Sequence, residues 1–188
     1  WLPTGVYWKD FFGYEWLAIL IGLVGLVEDF KQKLHAITRL SVTTLICLVA
    51  LYLFPDYLPE TLDLTLFSYQ INTFFFLWIA SSIVLVGFTN AGNIADGANG
   101  LVAIILTCLF AIGFSISQQL AYWAICLSLS TFSVYNLLTG KIFLGDFGAY
   151  SLSSLAVLCC FDLFDNYSIS VWLFGRVLSY PCFEVLRS

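Results

Sequence analysis

Long apolar runs separated by short polar segments dominate the chain. By hydropathy they predict about seven membrane-spanning helices, several nearer 16 residues than the ~20 that a full span needs. Neither the polar alternation of a mixed α/β fold nor that of a closed barrel is present. The pattern therefore predicts an all-α fold, a polytopic transmembrane helix bundle forming one domain over residues 1–188. Its spans lie at approximately 11–27, 37–54, 73–89, 101–117, 119–138, 149–164 and 169–186.

Composition agrees with a membrane protein. Hydrophobic residues make up 61% of the chain and charged residues 10%, against roughly 25% charged residues in an ordinary soluble domain. The basic residues form no cluster, which argues against binding of nucleic acid. The cysteines lie in apolar runs without a C-x-x-C pair, which argues against a zinc site or a disulfide framework.

The sequence contains no methionine. We therefore interpret it as an internal segment of a longer protein, with a cleaved signal peptide as the alternative.

The charges of the connecting segments predict an orientation. Segment 28–40 carries several cations, whereas segment 55–72 carries acids and no cation. Because basic residues favour the cytoplasmic side, segments 28–40, 88–100 and 139–148 are predicted to face the cytoplasm, with Lys9 as an exception. The three polar motifs of the chain, which lie in these segments, are therefore predicted on one membrane face.

The most polar interruption is NAGNIADGANGL at 90–101, where Asn90, Asn93, Asp96 and Asn99 recur every third residue. Polar groups at the edge of a membrane cost free energy unless something binds them. Carboxylate and amide oxygens suit magnesium, and amides can also read the edges of nucleobases. Helix packing through small residues and asparagine hydrogen bonds is the alternative. The number of polar groups favours a binding site.

The other two motifs are GLVEDF at 25–30 and GKIFLGDFGAY at 140–150. The adjacent acids Glu28 and Asp29 repel one another and would recruit a cation, unless they simply form a solvated helix end. Asp146, between two glycines, is suited to hold a metal against a phosphate. Lys141 would add a positive charge on the phosphate side. A tight turn between spans is the alternative for this motif.

These motifs resemble those of the polyprenyl-phosphate N-acetylhexosamine-1-phosphate transferases, which include translocase I of peptidoglycan synthesis and the initiating enzymes of O-antigen and teichoic-acid pathways. The chain has GLVEDF for the family's G-L-x-D-D, NAGNIADGANGL for N-x-x-N-x-x-D-G-x-x-G-L, and GKIFLGDFGAY for F-x-G-D-x-G. SYPCFEVLRS at 179–188 is similar to the segment before the family's late cytoplasmic loop. Glu28 stands where the family usually has Asp, and this variant favours the surface-polysaccharide branch, which includes lipopolysaccharide synthesis, over translocase I.

The resemblance implies transfer of a HexNAc 1-phosphate from a UDP-HexNAc donor to undecaprenyl or another polyprenyl phosphate, with release of UMP, at the cytoplasmic face of a bacterial plasma membrane. The implied cofactor is Mg²⁺, with Mn²⁺ as a substitute, and homodimerisation is left open. The family's early spans and late loop have no counterpart here, so activity is expected of the full-length protein rather than of this segment.

The motifs and the resemblance together predict a set of site residues. Asp146 is the main metal ligand and Asn93 its helper. The catalytic set is Glu28, Asp29 and Asp96, where the acidic pair serves the acceptor phosphate, proton removal or the metal. The substrate-binding set is Arg39 as a phosphate-side cation, Asn99 and Gly100 at the uracil, and Asn90 and Lys141.

Two other classes of function are alternatives. A transporter or channel would have polar groups at mid-membrane depth and an inverted repeat, whereas here the polar groups cluster at one surface and no repeat is visible. A non-catalytic relative acting as a scaffold would keep the fold without the activity. The joint presence of Asp29, Asn93, Asp96 and Asp146 argues against the scaffold.

Overall fold

The computed structural model describes residues 13, 15–31, 35–60, 62–64, 69–96, 100–167, 172, 175–176 and 179. Within them six long helices form a bundle, which confirms the predicted helical membrane fold. The helices are α1 Glu15–Lys31, α2 Ala36–Leu53, α3 Phe74–Ala95, α4 Leu101–Ser117, α5 Leu120–Thr139 and α6 Gly145–Tyr167. Between α2 and α3, a 3₁₀ turn at Pro55–Tyr57 is followed by an antiparallel hairpin of β1 Leu62–Leu64 and β2 Tyr69–Ile71, in which Leu62 pairs with Ile71.

The predicted count of about seven spans is too high for the described part of the chain. Four helices there, α2, α3, α5 and α6, are long and apolar enough to cross a membrane. Helices α1 and α4 have 17 residues each, fewer than the ~20 of a full span. The seventh predicted run, 169–186, lies almost entirely outside the described residues.

The polar motifs are more helical than predicted. The segments that contain them were predicted as loops, but α1 continues to Lys31, α3 continues to Ala95, and α6 begins at Gly145. Hydropathy marks where apolar side chains stop, whereas a helix continues as long as its backbone hydrogen bonds do. Most of the predicted site residues therefore lie on the ends of rigid helices.

Helix α6 is the central helix of the bundle and packs against α1, α3 and α4. Its middle, from Ser153 to Cys160, is buried throughout. Helix α1 approaches the backbone of α6 closely at Gly25, where a Cβ atom would overlap the backbone carbonyl of Asp146 and lie 2.9 Å from the nitrogen of Phe147. Only glycine allows this approach, which brings the end of α1 against the start of α6.

Candidate active site

The three polar motifs meet at one end of the bundle. The end of α1, the start of α2, the end of α3 and the start of α6 all contribute to the contacts there. Asp146 is the common neighbour: it contacts Asp29 through its backbone, and Arg39 and Asn93 through its carboxylate. The charges of the connecting segments predicted that these motifs share a face, and these contacts agree with that prediction.

Asp29 binds the first turn of α6 through both carboxylate oxygens. The N–H of Asp146 donates to Oδ1 over 3.1 Å, and the N–H of Phe147 donates to Oδ2 over 3.0 Å. The first N–H groups of a helix have no partner within the helix and carry partial positive charge, so a carboxylate there supplies acceptors and a favourable charge. Asp29 therefore caps α6 from a neighbouring helix and fixes the backbone that carries Asp146.

We expect Asp29→Ala to destabilise the start of α6 by about 0.5–2 kcal/mol, the range measured when capping side chains are removed. The melting temperature of the full-length protein in detergent should fall, and the amides of Asp146 and Phe147 should exchange hydrogen faster. Glu28→Gln is the matched control, because the Glu28 carboxylate lies beside Arg39 on α2, with Oε1 4.0 Å from Nη1. Equal melting temperatures for Asp29→Ala and the unmodified protein would contradict the capping role.

Arg39, in the first turn of α2, lies between two carboxylates. Its Nη1 is 3.4 Å from Oδ2 of Asp146 and 4.0 Å from Oε1 of Glu28. The side chains of Arg39, Asp146 and Glu28 are 22%, 27% and 18% exposed, so a ligand can reach this group. The Nε of Arg39 is buried without a hydrogen-bond partner among the described residues. Guanidinium groups bind phosphate well, and Arg39 is placed to do so beside Asp146.

Asp146, Asn93 and Asp96 bring oxygen donors to the same corner. The Asn93 side chain lies within hydrogen-bonding reach of the Asp146 carboxylate, and the Asp96 carboxylate lies against the backbone of Gly145 and Leu144. Asp96 is 7% exposed, and its Oδ1 has no hydrogen-bond partner in the described part of the chain. Burial raises the pKa of Asp96, and the Asp146 charge raises it further, while the two backbone groups lower it.

These donors fit a magnesium ion. The described residues contain no group of three or more His, Cys, Asp or Glu side chains arranged to hold a metal. Magnesium does not need such a group, because it commonly uses one or two carboxylates together with waters and substrate phosphates. The buried Oδ1 of Asp96, which has no partner among the described residues, and the nearby Asp146 carboxylate are hard oxygen donors of the kind that this ion prefers.

Asn90 is engaged within the protein rather than turned toward an open site. Its Nδ2 donates to the carbonyl oxygen of Val86 over 2.8 Å, and its Oδ1 accepts the hydroxyl proton of Tyr150 over 3.0 Å. Both ends of the carboxamide therefore have partners on α3 and α6. The predicted contact of Asn90 with substrate would have to compete with these bonds.

Gly100 and the remaining predicted residues have different surroundings. Gly100 precedes α4 with a φ of 74°, a left-handed conformation that favours glycine. Asn99 lies outside the described residues. Lys141 is exposed in the segment between α5 and α6, and no hydrogen bond or ion pair joins its side chain to the described residues. The structure thus brings Glu28, Asp29, Arg39, Asn93, Asp96 and Asp146 together but does not bring Lys141 into contact with them.

Asn136 is a polar residue of this region that was not among the predicted site residues. It is fully buried near the end of α5, and neither Oδ1 nor Nδ2 has a hydrogen-bond partner in the described part of the structure. A Cβ atom at Gly100 would lie 3.7 Å from the Asn136 side chain. The sequence feature that could have identified Asn136 is an asparagine within an otherwise apolar helix. A buried, unsatisfied amide beside Gly100 is suited to contact a ligand.

The acidic connecting segments meet at the opposite end of the bundle. The N–H of Glu60 donates to both carboxylate oxygens of Asp165 over 3.1 and 3.2 Å, and the hydroxyl of Tyr122 lies 3.4 Å from Oδ2 of Asp162. Two open cavities of about 640 and 400 Å³ lie at this end, both partly lined by Asp56. The acidic end is therefore separate from the end where the three motifs meet.

Comparison with known proteins identifies relatives of the chain. The model of the glycosyl transferase family 4 matches residues 11–163. The phospho-N-acetylmuramoyl-pentapeptide-transferase of Kosmotoga olearia is 28% identical over 150 residues, which cover 73% of this chain and 47% of that protein. Proteins of the same name from Streptococcus pneumoniae (strain CGSP14) and Lactococcus lactis subsp. cremoris are both 30% identical, over 82% and 84% of this chain and 51% and 52% of their own lengths.

The chain thus spans about half the length of the curated relatives it matches. All three polar motifs, at 25–30, 90–101 and 140–150, fall within the residues that the family model matches. The helix ends that carry these motifs are the ones that meet in the structure. The chain belongs to glycosyl transferase family 4.

Proposed function

We propose that the full-length protein transfers a HexNAc 1-phosphate from a UDP-sugar to a polyprenyl phosphate in the membrane and releases UMP. The observation that carries this proposal is the meeting of Asp29, Arg39, Asn93, Asp96 and Asp146 at one end of a family 4 bundle. Family membership supports the reaction class, and the local chemistry supports binding of two phosphate-bearing substrates.

The reaction exchanges one phosphoanhydride bond for another. An oxygen of the acceptor phosphate attacks the β-phosphorus of the UDP-sugar, the bond from that phosphorus to the oxygen bridging the two phosphates breaks, and UMP leaves with the electron pair. The products are UMP and a polyprenyl diphosphate sugar. Because both reactants are anions, catalysis depends on charge neutralisation and alignment.

Asp146, Asp96 and Asn93 are the residues we assign to magnesium. A bound magnesium ion would neutralise phosphate charge and orient the diphosphate. Arg39 would bind a phosphate oxygen from the α2 side, and Glu28 beside it would accept a proton from the acceptor phosphate. Asp29 would hold the first turn of α6 in place. The positions of these side chains around Asp146 support the proposed roles.

The donor nucleotide is assigned to the segment before α4. Gly100 and Asn99 are proposed to contact the uracil. Asn136 lies behind Gly100, and its amide, which has no hydrogen-bond partner among the described residues, is proposed to bind the nucleotide as well. Lys141 would approach the diphosphate from the exposed segment before α6. Asn90 would support this region through its bonds to α3 and α6.

The membrane location that we propose is the cytoplasmic face of a bacterial plasma membrane. The end of the bundle where the three polar motifs meet, here called the motif end, adjoins the basic segment 28–40, and the opposite end adjoins acidic segments. At this location a soluble nucleotide sugar can meet a lipid acceptor whose phosphate lies at the membrane surface.

Two donor classes are consistent with the chain. The names of the relatives favour a UDP-N-acetylmuramoyl-pentapeptide donor, as in cell-wall synthesis. The GLVED variant at 25–29 favours a simpler UDP-HexNAc donor, used to initiate a surface polysaccharide. Both donors consist of UMP joined to the 1-phosphate of a HexNAc-type sugar, so the proposed site chemistry is the same for either.

The test is an assay of the full-length protein in detergent with undecaprenyl phosphate and a panel of donors: UDP-GlcNAc, UDP-GalNAc and UDP-N-acetylmuramoyl-pentapeptide. We expect UMP release with at least one donor, only when the lipid is present, and a lipid diphosphate sugar of matching mass. A folded protein that releases no UMP with any donor would refute the proposal and favour a scaffold or a transporter.

A further inference from the structure

We infer that Tyr150 is a positioning residue for the metal-side groups of the site. Through its hydroxyl and the carboxamide of Asn90, it fixes the end of α3 against the first turns of α6. The inference rests on the proposed function, because it concerns the residues assigned to magnesium there. In this role Tyr150 acts through Asn90 rather than by contact with a substrate.

The bond between the two helices is well defined. Tyr150 is fully buried on α6, and its hydroxyl lies 3.0 Å from Oδ1 of Asn90 on α3, a residue 60 positions away in the sequence. A buried hydroxyl without a partner would cost free energy, so Tyr150 favours the arrangement that keeps Asn90 in reach. The other end of Asn90 is held by the carbonyl of Val86, one turn earlier on its own helix.

The contacts also fix the orientation of the Asn90 amide. The carbonyl oxygen of Val86 can only accept a hydrogen bond, so Nδ2 must face it. Oδ1 then faces Tyr150, and the tyrosine hydroxyl must donate. The Tyr150 hydroxyl therefore acts as the donor and Oδ1 of Asn90 as the acceptor, so the hydrogen bond has one defined direction.

The position of this bond explains its effect on the site. Asn90 lies about one turn before Asn93 on α3, and Tyr150 lies about one turn after Asp146 on α6. Asn93 is within hydrogen-bonding reach of Asp146. The Tyr150–Asn90 bond thus joins the same two helices one turn below the proposed metal ligands, and it limits how far Asn93 and Asp146 can move apart.

Tyr150→Phe tests the role, because it removes the hydroxyl and keeps the ring. Binding of Mn²⁺ to the full-length protein, followed by electron paramagnetic resonance, should weaken about tenfold, at the low end of the effect of losing a residue that orients a metal ligand. The Mg²⁺ concentration for half-maximal UMP release should rise by a similar factor, while kcat at saturating Mg²⁺ stays close to that of the unmodified protein.

Tyr122→Phe is the matched control. Tyr122 is also fully buried, but its hydroxyl lies by Asp162 at the opposite end of the bundle. Both substitutions remove one buried hydroxyl, so both should lower thermal stability, and only Tyr150→Phe should weaken metal binding. Unchanged Mn²⁺ affinity in Tyr150→Phe, or equal weakening in Tyr122→Phe, would overturn the inference.

A second variant covers the case in which Tyr150→Phe does not fold. Asn90→Ala removes the acceptor of the same bond from a half-buried position, and it should weaken Mn²⁺ binding to a similar extent. Where both single variants fold, the double variant should bind Mn²⁺ no more weakly than either one, because one bond is lost in all three. Additive weakening in the double variant, or normal affinity in Asn90→Ala, would contradict the role.

Failure of this inference is distinguishable from failure of the proposed function. An unmodified protein that releases no UMP with any donor refutes the function. An active, magnesium-dependent protein whose Tyr150→Phe variant binds Mn²⁺ normally refutes only the role of Tyr150.

Discussion

Asp146→Asn is expected to lower UMP release by about 1,000-fold or more, while the protein stays folded. Asp146 is the side chain around which the other site residues are arranged, and it is the main proposed ligand of magnesium. Loss of a metal's charge stabilisation costs several kcal/mol, and each ~1.4 kcal/mol changes a rate tenfold. Asparagine has the same shape as aspartate, so the loss can be assigned to the charge. The measurement is kcat for UMP release at saturating Mg²⁺.

The matched control for Asp146→Asn is Asp162→Asn. Asp162 lies near the other end of the same helix, beside Tyr122 and away from the end of the bundle where the three polar motifs meet. This variant should keep UMP release within about twofold of the unmodified protein, since it is remote from the proposed chemistry. Equal activity in Asp146→Asn and Asp162→Asn would show that Asp146 is not the metal ligand.

Gly25→Ala is expected to damage both stability and activity. A Cβ atom at residue 25 would overlap the backbone of Asp146, and a backbone cannot move aside as a flexible side chain can. Overpacking of this kind typically costs about 1–3 kcal/mol. The helices would separate at the start of α6, and a shift of about 1 Å in a site can lower a rate about 100-fold. Thermal unfolding in detergent and UMP release measure the two effects.

Gly87→Ala provides the comparison for Gly25→Ala. Gly87 lies inside α3, and a Cβ atom there would meet nothing within 4 Å. The same substitution should therefore be neutral or slightly stabilising, because alanine is favoured over glycine in a helix by about 0.5–1 kcal/mol. If Gly25→Ala is as stable and as active as Gly87→Ala, the close contact between α1 and α6 does not support the site.

Sequence patterns predicted the helical bundle and the meeting of the three polar motifs at one end of it. The run 101–117 coincides with α4, and 119–138 nearly coincides with α5, because their ends are marked by changes from apolar to polar residues. The charges of the connecting segments predicted which segments lie at the motif end of the bundle and which lie at the acidic end. Both predictions depend on local composition, which a single sequence contains.

The partners of the polar side chains could not be predicted in the same way. The sequence predicts a catalytic role for Asp29 as half of an acidic pair, whereas in the structure its two carboxylate oxygens cap α6. This contact depends on the close approach of α1 to α6 at Gly25. Asn90 was assigned to substrate, yet its amide is bonded to Val86 and Tyr150. These bonds depend on how helices distant in sequence pack, and hydropathy contains no such information.

The magnesium dependence of UMP release is the decisive measurement for the proposed active site. The full-length protein is supplied with undecaprenyl phosphate and an active donor, treated with EDTA, and then given Mg²⁺ in excess. If the site binds magnesium, release should stop with EDTA and return with Mg²⁺ or Mn²⁺. Release that continues unchanged in EDTA would contradict the assignment of Asp146, Asp96 and Asn93 to a magnesium site.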